Sequence, residues 1–290
     1  MTEANLYATR FRKAYQLMEW KRYDAALEEA GALIRENPED ADAYALAGDI
    51  HLKTGRHDKA LHWSGEALRR DPENQVAWFV RVSVYYETDN DKELDEALRE
   101  AMRIDPYESH YLFLQANLSN KKGRFAEAKA HIGSALELQP ENALYLAMLG
   151  YIEALLKNYG ASKALGHEAL RLEAESPHVY LYLAWAAGRR DDYAAQTEYL
   201  KSAIRLAPDN SQIRGEYLEA LQKSYAFYRF FLYPAKLMKR WKPWQLLLVW
   251  VIAWIVFKPL VLVFIVLYIV SHWMTKLLVH VKVFGWTFRK

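Results

Sequence analysis

The sequence predicts an all-α fold: a superhelical solenoid of about six helix pairs closed by a capping helix, then a C-terminal membrane helix or helical hairpin. Three observations carry that expectation. Prolines recur at Pro38, Pro72, Pro106 and Pro140, a period of 34, and Pro208 follows two periods later with Ala174 at the intervening place. A second register keeps the same phase: five positions before the proline stand Leu33 and then the small Ala67, Ala101, Ala135, Ala169 and Ala203. Third, the 31 residues from Trp244 to Met274 carry no charge except Lys258 and, when protonated, His272.

The proline frame divides the chain into units 7–40, 41–74, 75–108, 109–142, 143–176 and 177–210. Tyr23, His57, Asp91, Phe125, Tyr159 and Tyr193 share one register, and Gly48 and Gly150 share another with Ala14, Ala116 and Ala184. A 34-residue period with small side chains at fixed places is the pattern of two closely packed helices per unit. Asn-Pro and Asp-Pro pairs end the second helices, because the residue before proline avoids the α region. Ser176 precedes Pro177 as a capping hydroxyl before a proline at a helix's first position. After the sixth unit, Ile213, Tyr217, Leu218 and Leu221 fall at helical spacing. They make 211–222 a capping helix and 1–222 one array.

The pattern resembles the tetratricopeptide repeat (TPR) family over about residues 7–210. The second unit carries it best, with Tyr44, Gly48, Gly55, Ala60, Ala67 and Pro72. Val82 departs from the small residue of its register, Leu94 and Gln196 from the second-helix Ala, and Asp89 and Asp191 from the turn Gly. The resemblance implies a concave face lined by the first helices and used for binding protein partners. In that frame the inward positions include Phe11, Tyr15, Phe79, Tyr86, Phe113, Asn117, Met148, Tyr151, Tyr182 and Trp185, an aromatic row with few charges. Members that hold the carboxylate of chaperone tails use a Lys/Asn/Arg clamp, and no such set lines up here. Aromatic anchors suit a peptide with apolar side chains. The same rings could instead pack between repeats, or receive the chain's own tail or a second copy.

Charge separates the two ends of the chain. From Lys223 onward there are 11 basic residues and no acidic one, leaving 27 basic against 36 acidic residues before it, a net of −9. An acidic array speaks against nucleic acid, and the basic residues that cluster do so around the apolar run, where lipid phosphate accounts for them. Residues 223–243 form an aromatic and basic connector, 244–274 a membrane segment and 275–290 a basic tail. Phe230, Phe231, Lys236, Lys239, Arg240, Lys242, Trp244 and Lys276 are the expected membrane-interface residues, facing anionic lipids.

As one straight helix the membrane segment is about 46 Å long against a hydrocarbon core of about 30 Å. A turn at Lys258-Pro259 gives arms of about 21–23 Å, short for a full crossing. Four basic residues precede the segment (Lys236, Lys239, Arg240, Lys242) and four follow it (Lys276, Lys282, Arg289, Lys290), so nothing sends the two ends to opposite sides. The hairpin is favoured over the single span.

The sequence holds no Cys, which excludes disulfides, thiol nucleophiles and thiolate metal sites. Met1 to Ala14 lacks the apolar stretch of a signal peptide. His51, His57 and His62 spread over two helices and a turn. Asp89-Asn90-Asp91 starts like a calcium loop but lacks its Gly and Glu. No catalytic residues, cofactor or metal site are expected. The expected function is a membrane-anchored adaptor that recruits or positions a protein at the cytoplasmic face of a membrane, the bacterial inner membrane first. The alternative is a self-assembling scaffold, a homo-oligomer whose array packs on copies of itself.

Overall fold

A computed structural model of the chain describes residues 3–224, Trp244, Leu247, Val251 and 258–284. These residues form helices and no strands. Twelve helices make six pairs: α1 (Glu3–Glu19) with α2 (Tyr23–Glu36), α3 (Ala41–Lys53) with α4 (His57–Arg70), α5 (Gln75–Glu87) with α6 (Asp91–Ile104), α7 (Ser109–Lys121) with α8 (Phe125–Leu138), α9 (Ala143–Leu155) with α10 (Tyr159–Leu172), and α11 (Pro177–Arg189) with α12 (Tyr193–Leu206). A thirteenth, α13 (Ser211–Ser224), follows the last pair, and α14 (Lys258–Phe284) stands near the C-terminus. The chain forms two compact units, Met1–Pro140 with α1–α8 and Glu141–Lys290 with α9–α14.

The 34-residue period sets the ends of each helix. First helices start behind side-chain caps: Asp40 accepts from the Asp42 N–H at 3.0 Å, Asn74 from Ala77 at 2.9 Å and Ser176 from Val179 at 3.4 Å, with Pro177 in the first turn. Each cap satisfies a donor that the helix start leaves open. Second helices stop one residue before Asn37, Asp71, Asp105, Gln139, Glu173 and Ala207. The stop at Glu173 keeps its place although Ala174 stands where proline stands elsewhere. The turn within each pair puts one residue at positive φ, and these residues are Lys21, Gly55, Asp89, Gly123, Lys157 and Asp191, again 34 apart. Glycine adopts that conformation freely; the two lysines hold it at a cost of roughly 1–2 kcal/mol each.

In Met1–Pro140 the core begins with Ala14, Leu17, Ala26, Ala30, Leu33, Leu46, Ala47 and Ile50 from α1, α2 and α3. Leu52, Ala60, Val80 and Val84 continue it through α3, α4 and α5. Gly48 is small for a reason: a Cβ there would stand 3.2 Å from the Ser64 backbone nitrogen of α4. In Glu141–Lys290 the same crossing brings Gly150 to 3.2 Å from the Ser162 carbonyl. Leu181, Ala184, Leu200, Ala203, Ile213 and Ala220 join α11, α12 and α13, so α13 covers the last pair.

α14 is unlike the rest. It starts at Lys258, so Pro259 lies in its first turn, where a missing N–H breaks no helical bond. It runs ten residues past Met274, to Phe284, because Leu277, Leu278, Val279 and Val281 sustain the helix through what the charges alone mark as a basic tail. It packs against α13. Leu262–Val281 is long and apolar enough to cross a membrane.

Candidate functional site

In Met1–Pro140 the predicted row falls on the first helices α1, α5 and α7. Phe11 is half-buried with its ring edge-on to Tyr7 at 5.5 Å. Tyr15 is 44% exposed, and burial together with the Asp49 and Asp42 carboxylates pushes its hydroxyl up. Phe79 lies 5.6 Å from the His110 ring, which stacks on Phe113 at 5.9 Å. Tyr86 is 39% exposed, its hydroxyl raised by burial and then by Asp89. Asn117 turns its amide nitrogen onto the Phe113 carbonyl at 3.0 Å, within its own helix.

Charged and titratable groups that the aromatic row omits stand among these rings. Asp49 Oδ1 is shut from solvent without a hydrogen-bond donor, and burial raises its carboxyl although Lys53 acts the other way. Burial lowers the His110 imidazole, with Lys53 adding to the effect and Glu108 opposing it. A cleft of about 490 Å³ is lined by Leu52, Lys53, Gly55, Phe79, Ser83, Glu87 and His110. The signal for Asp49 is in the sequence: it stands one period after Tyr15, and Lys53 one period before Glu87. The second unit carries no aromatic at these inward places, so a search for rings passes over it.

In Glu141–Lys290, α9 and α11 gather Tyr151, Tyr182 and Trp185. Their rings stand 6.2 Å (Tyr151–Tyr182), 5.7 Å (Tyr151–Trp185) and 5.2 Å (Tyr182–Trp185) apart. Trp185 is half-buried, Tyr151 and Tyr182 are buried, and Met148 has no exposed surface at all. Phe113 is buried too. Open faces are therefore concentrated at Tyr15, Tyr86, Phe11, Phe79, Asn117 and Trp185, while Met148 is a fully buried core side chain.

Of the expected membrane-interface residues, Phe230, Phe231, Lys236, Lys239, Arg240 and Lys242 lie outside the described residues. Trp244 is exposed. Lys276 is exposed and holds its ammonium 5.8 Å from the centre of the Trp273 ring. Along α14, Leu262, Val263, Val266, Leu267, Ile269, Val270, Trp273, Met274, Leu277 and Leu278 are all exposed.

His57 meets Glu87 at 2.8 Å, and Asp89 and Asp91 both accept from Lys121, at 3.1 and 2.8 Å. Among the described residues no three His, Asp or Glu side chains gather into a metal site.

Comparison with known proteins bears on the array. A family model described as tetratricopeptide repeat matches residues 11–63 and 113–162. No curated protein matches the chain. Among solved structures, pilF of Pseudomonas aeruginosa is 16% identical at a TM-score of 0.60, covering 74% of this chain and 96% of its own. PilW, described as a widely conserved type IV pilus biogenesis factor, is 16% identical at 0.59, covering 74% and 99%. A tetratricopeptide repeat protein from Parabacteroides merdae is 17% identical at 0.59, covering 78% and 90%. At such identities the likeness is one of fold.

Proposed function

Because the chain belongs to the tetratricopeptide repeat family, whose members are scaffolds for protein–protein interaction and in general not enzymes, we propose that it is a membrane-anchored adaptor. In this reading the C-terminal segment fixes the chain to a membrane, with Lys258-Pro259 as the turn of a hairpin, and residues 1–222 stand on the cytoplasmic side. The first helices then recruit or position another protein there, in a bacterium at the inner membrane.

The observation that supports the anchor most is the bare apolar surface of α14, where Trp273 is 67% exposed and nine aliphatic side chains of Leu, Ile, Val and Met stand open beside it. Such a surface belongs against lipid or another protein, and the 11 basic residues from Lys223 onward, with no acidic one among them, favour anionic lipid. Capture of a partner is supported by Tyr15 and Tyr86, large exposed rings on the first helices α1 and α5, since aromatic side chains are prominent among the residues that carry binding energy in such contacts.

The test is photo-crosslinking in membranes from Tyr86 and Trp185, with a probe at exposed Lys129 on α8 as control. A discrete adduct with another protein from the first two positions alone supports the adaptor. Adducts only between copies of this chain replace it with a self-assembling scaffold.

A further inference from the structure

We infer that α14 enters the bilayer without crossing it: residues 259–270 sit in hydrocarbon, while 271–284 stay outside it on the same side as the array. This deepens the membrane-anchoring reading and rests on it.

The two halves of α14 differ in kind. From Pro259 to Val270 every side chain is apolar except Tyr268; from Ser271 to Phe284 come Ser271, His272, Thr275, Lys276, His280 and Lys282. A helix surrounded by lipid is apolar on every side, and the first half meets that requirement. The second half does not. At about 100° per residue, Trp273, Met274, Leu277 and Leu278 fall on one side, and Ser271, His272, Thr275 and Lys276 on the other. That is the pattern of a helix lying along the interface.

Three features locate the boundary. Ser271, Thr275 and Val279 are the buried residues among the described side chains of α14, so protein covers this seam over about 12 Å. Among the described helices, α13 packs against α14, and it carries Arg214, Glu216, Glu219 and Lys223. If Leu262–Val281 spanned the membrane, Ser271 would lie at the midplane and α13 would be drawn into hydrocarbon with its charges, which is strongly unfavourable. Lastly, the Trp273–Lys276 pair, of the kind found at headgroup level, sits past the centre of that stretch and not at its ends. The apolar half measures about 18 Å, well short of a hydrocarbon core of about 30 Å.

The full chain has no Cys, so single cysteines report one place each. Val266→Cys, Lys276→Cys, His280→Cys and the array reference Lys129→Cys are bound to preformed phosphatidylcholine–phosphatidylglycerol vesicles, so that the arrays face outward; His280 is exposed and lies off the apolar side of this half. A charged, membrane-impermeant maleimide is then added outside. The expected result is modification of Lys276→Cys and His280→Cys to the same extent as Lys129→Cys, with Val266→Cys protected until detergent is added. A bimane on Val266→Cys is then quenched more by a nitroxide deep in the acyl chains than by one at the headgroup, and a bimane on Lys276→Cys shows the reverse. Protection of Lys276→Cys and His280→Cys until detergent opens the vesicles would mean that α14 crosses, and would overturn the inference while leaving the anchor intact. Labelling of Val266→Cys as free as that of Lys129→Cys would instead remove the anchor itself.

Discussion

Helices α3 and α14 use similar amino acids to opposite ends. Ten of the thirteen residues of α3 are buried, and those include Ala43, Ala45, Leu46, Ala47, Ile50 and Leu52. The longer and more apolar α14 buries, among its described side chains, only Ser271, Thr275 and Val279, two of them polar, and leaves its large aliphatic side chains bare. An apolar residue in α3 is stabilised by leaving water for protein; in α14 the exposed residues of the same types draw no such gain from the described fold, and under the proposed anchor lipid supplies it. The polar residues follow the same inversion. Thr275, fully buried, turns its hydroxyl onto the Ser271 and His272 carbonyls at 2.8 and 2.9 Å, as a hydroxyl without water must.

The most direct way to break this contrast is to place a charge where lipid is expected. Val266→Lys, on an exposed face of α14, should weaken vesicle binding by about 100-fold, since a central Lys costs about 2.5–3.5 kcal/mol in a membrane helix. Its melting transition should stay put; vesicle titration and circular dichroism check the two halves. In the array the order reverses, and truncating the buried Met148 to Ala should cost about 3 kcal/mol in urea unfolding, whereas Tyr86→Ala should leave stability within about 0.5 kcal/mol and act on partner capture.

A smaller effect sharpens the account of close packing. Gly48→Val should destabilise by about 2 kcal/mol, because the α4 backbone is already within 3.2 Å of the new Cβ. Val82 fills the same register in the next pair and is fully buried, so the reverse change there should destabilise too, by loss of burial. Lys157→Gly should stabilise by about 1 kcal/mol, relieving a positive φ that glycine adopts without strain.

The least of these effects is on Asp49. Asp49→Asn should stabilise by on the order of 1 kcal/mol at neutral pH, removing a carboxylate that burial disfavours. The sign with pH follows from the raised carboxyl. The folded chain binds a proton there before the unfolded chain does, so the native protein recovers stability as pH falls through the folded value. The advantage of the variant should shrink over the same range in urea titrations.

The repeating part of the fold was legible because period and phase are properties of sequence order. Pro38 through Pro208 mark where second helices stop, and Gly48 and Gly150 mark where helices cross. What the period does not report is which way a side chain turns at its register. Met148 lies one residue from an inward place and is wholly buried. Asp49, Lys53 and His110 share the open side with the aromatic row, but a search for rings has no reason to select them. Positive φ at Lys21 and Lys157 was hidden for a similar reason: long cations carry no mark of left-handed backbone, whereas Gly55 and Gly123 do. At the C-terminus, charge marked a basic tail after Met274, yet Leu277 to Val281 kept the helix going, since Lys276 and Lys282 fit a helix as well as a tail.

The contrast between array and C-terminus is tested most directly by flotation of the full chain with anionic vesicles in concentrated salt. Apolar insertion is not screened, while attraction of the basic residues alone is. The account predicts that the chain rises with the vesicles and stays with them through the salt wash. A chain that sediments free of lipid, or leaves it in salt, would contradict the membrane role of α14 and turn its bare apolar face into a surface for protein.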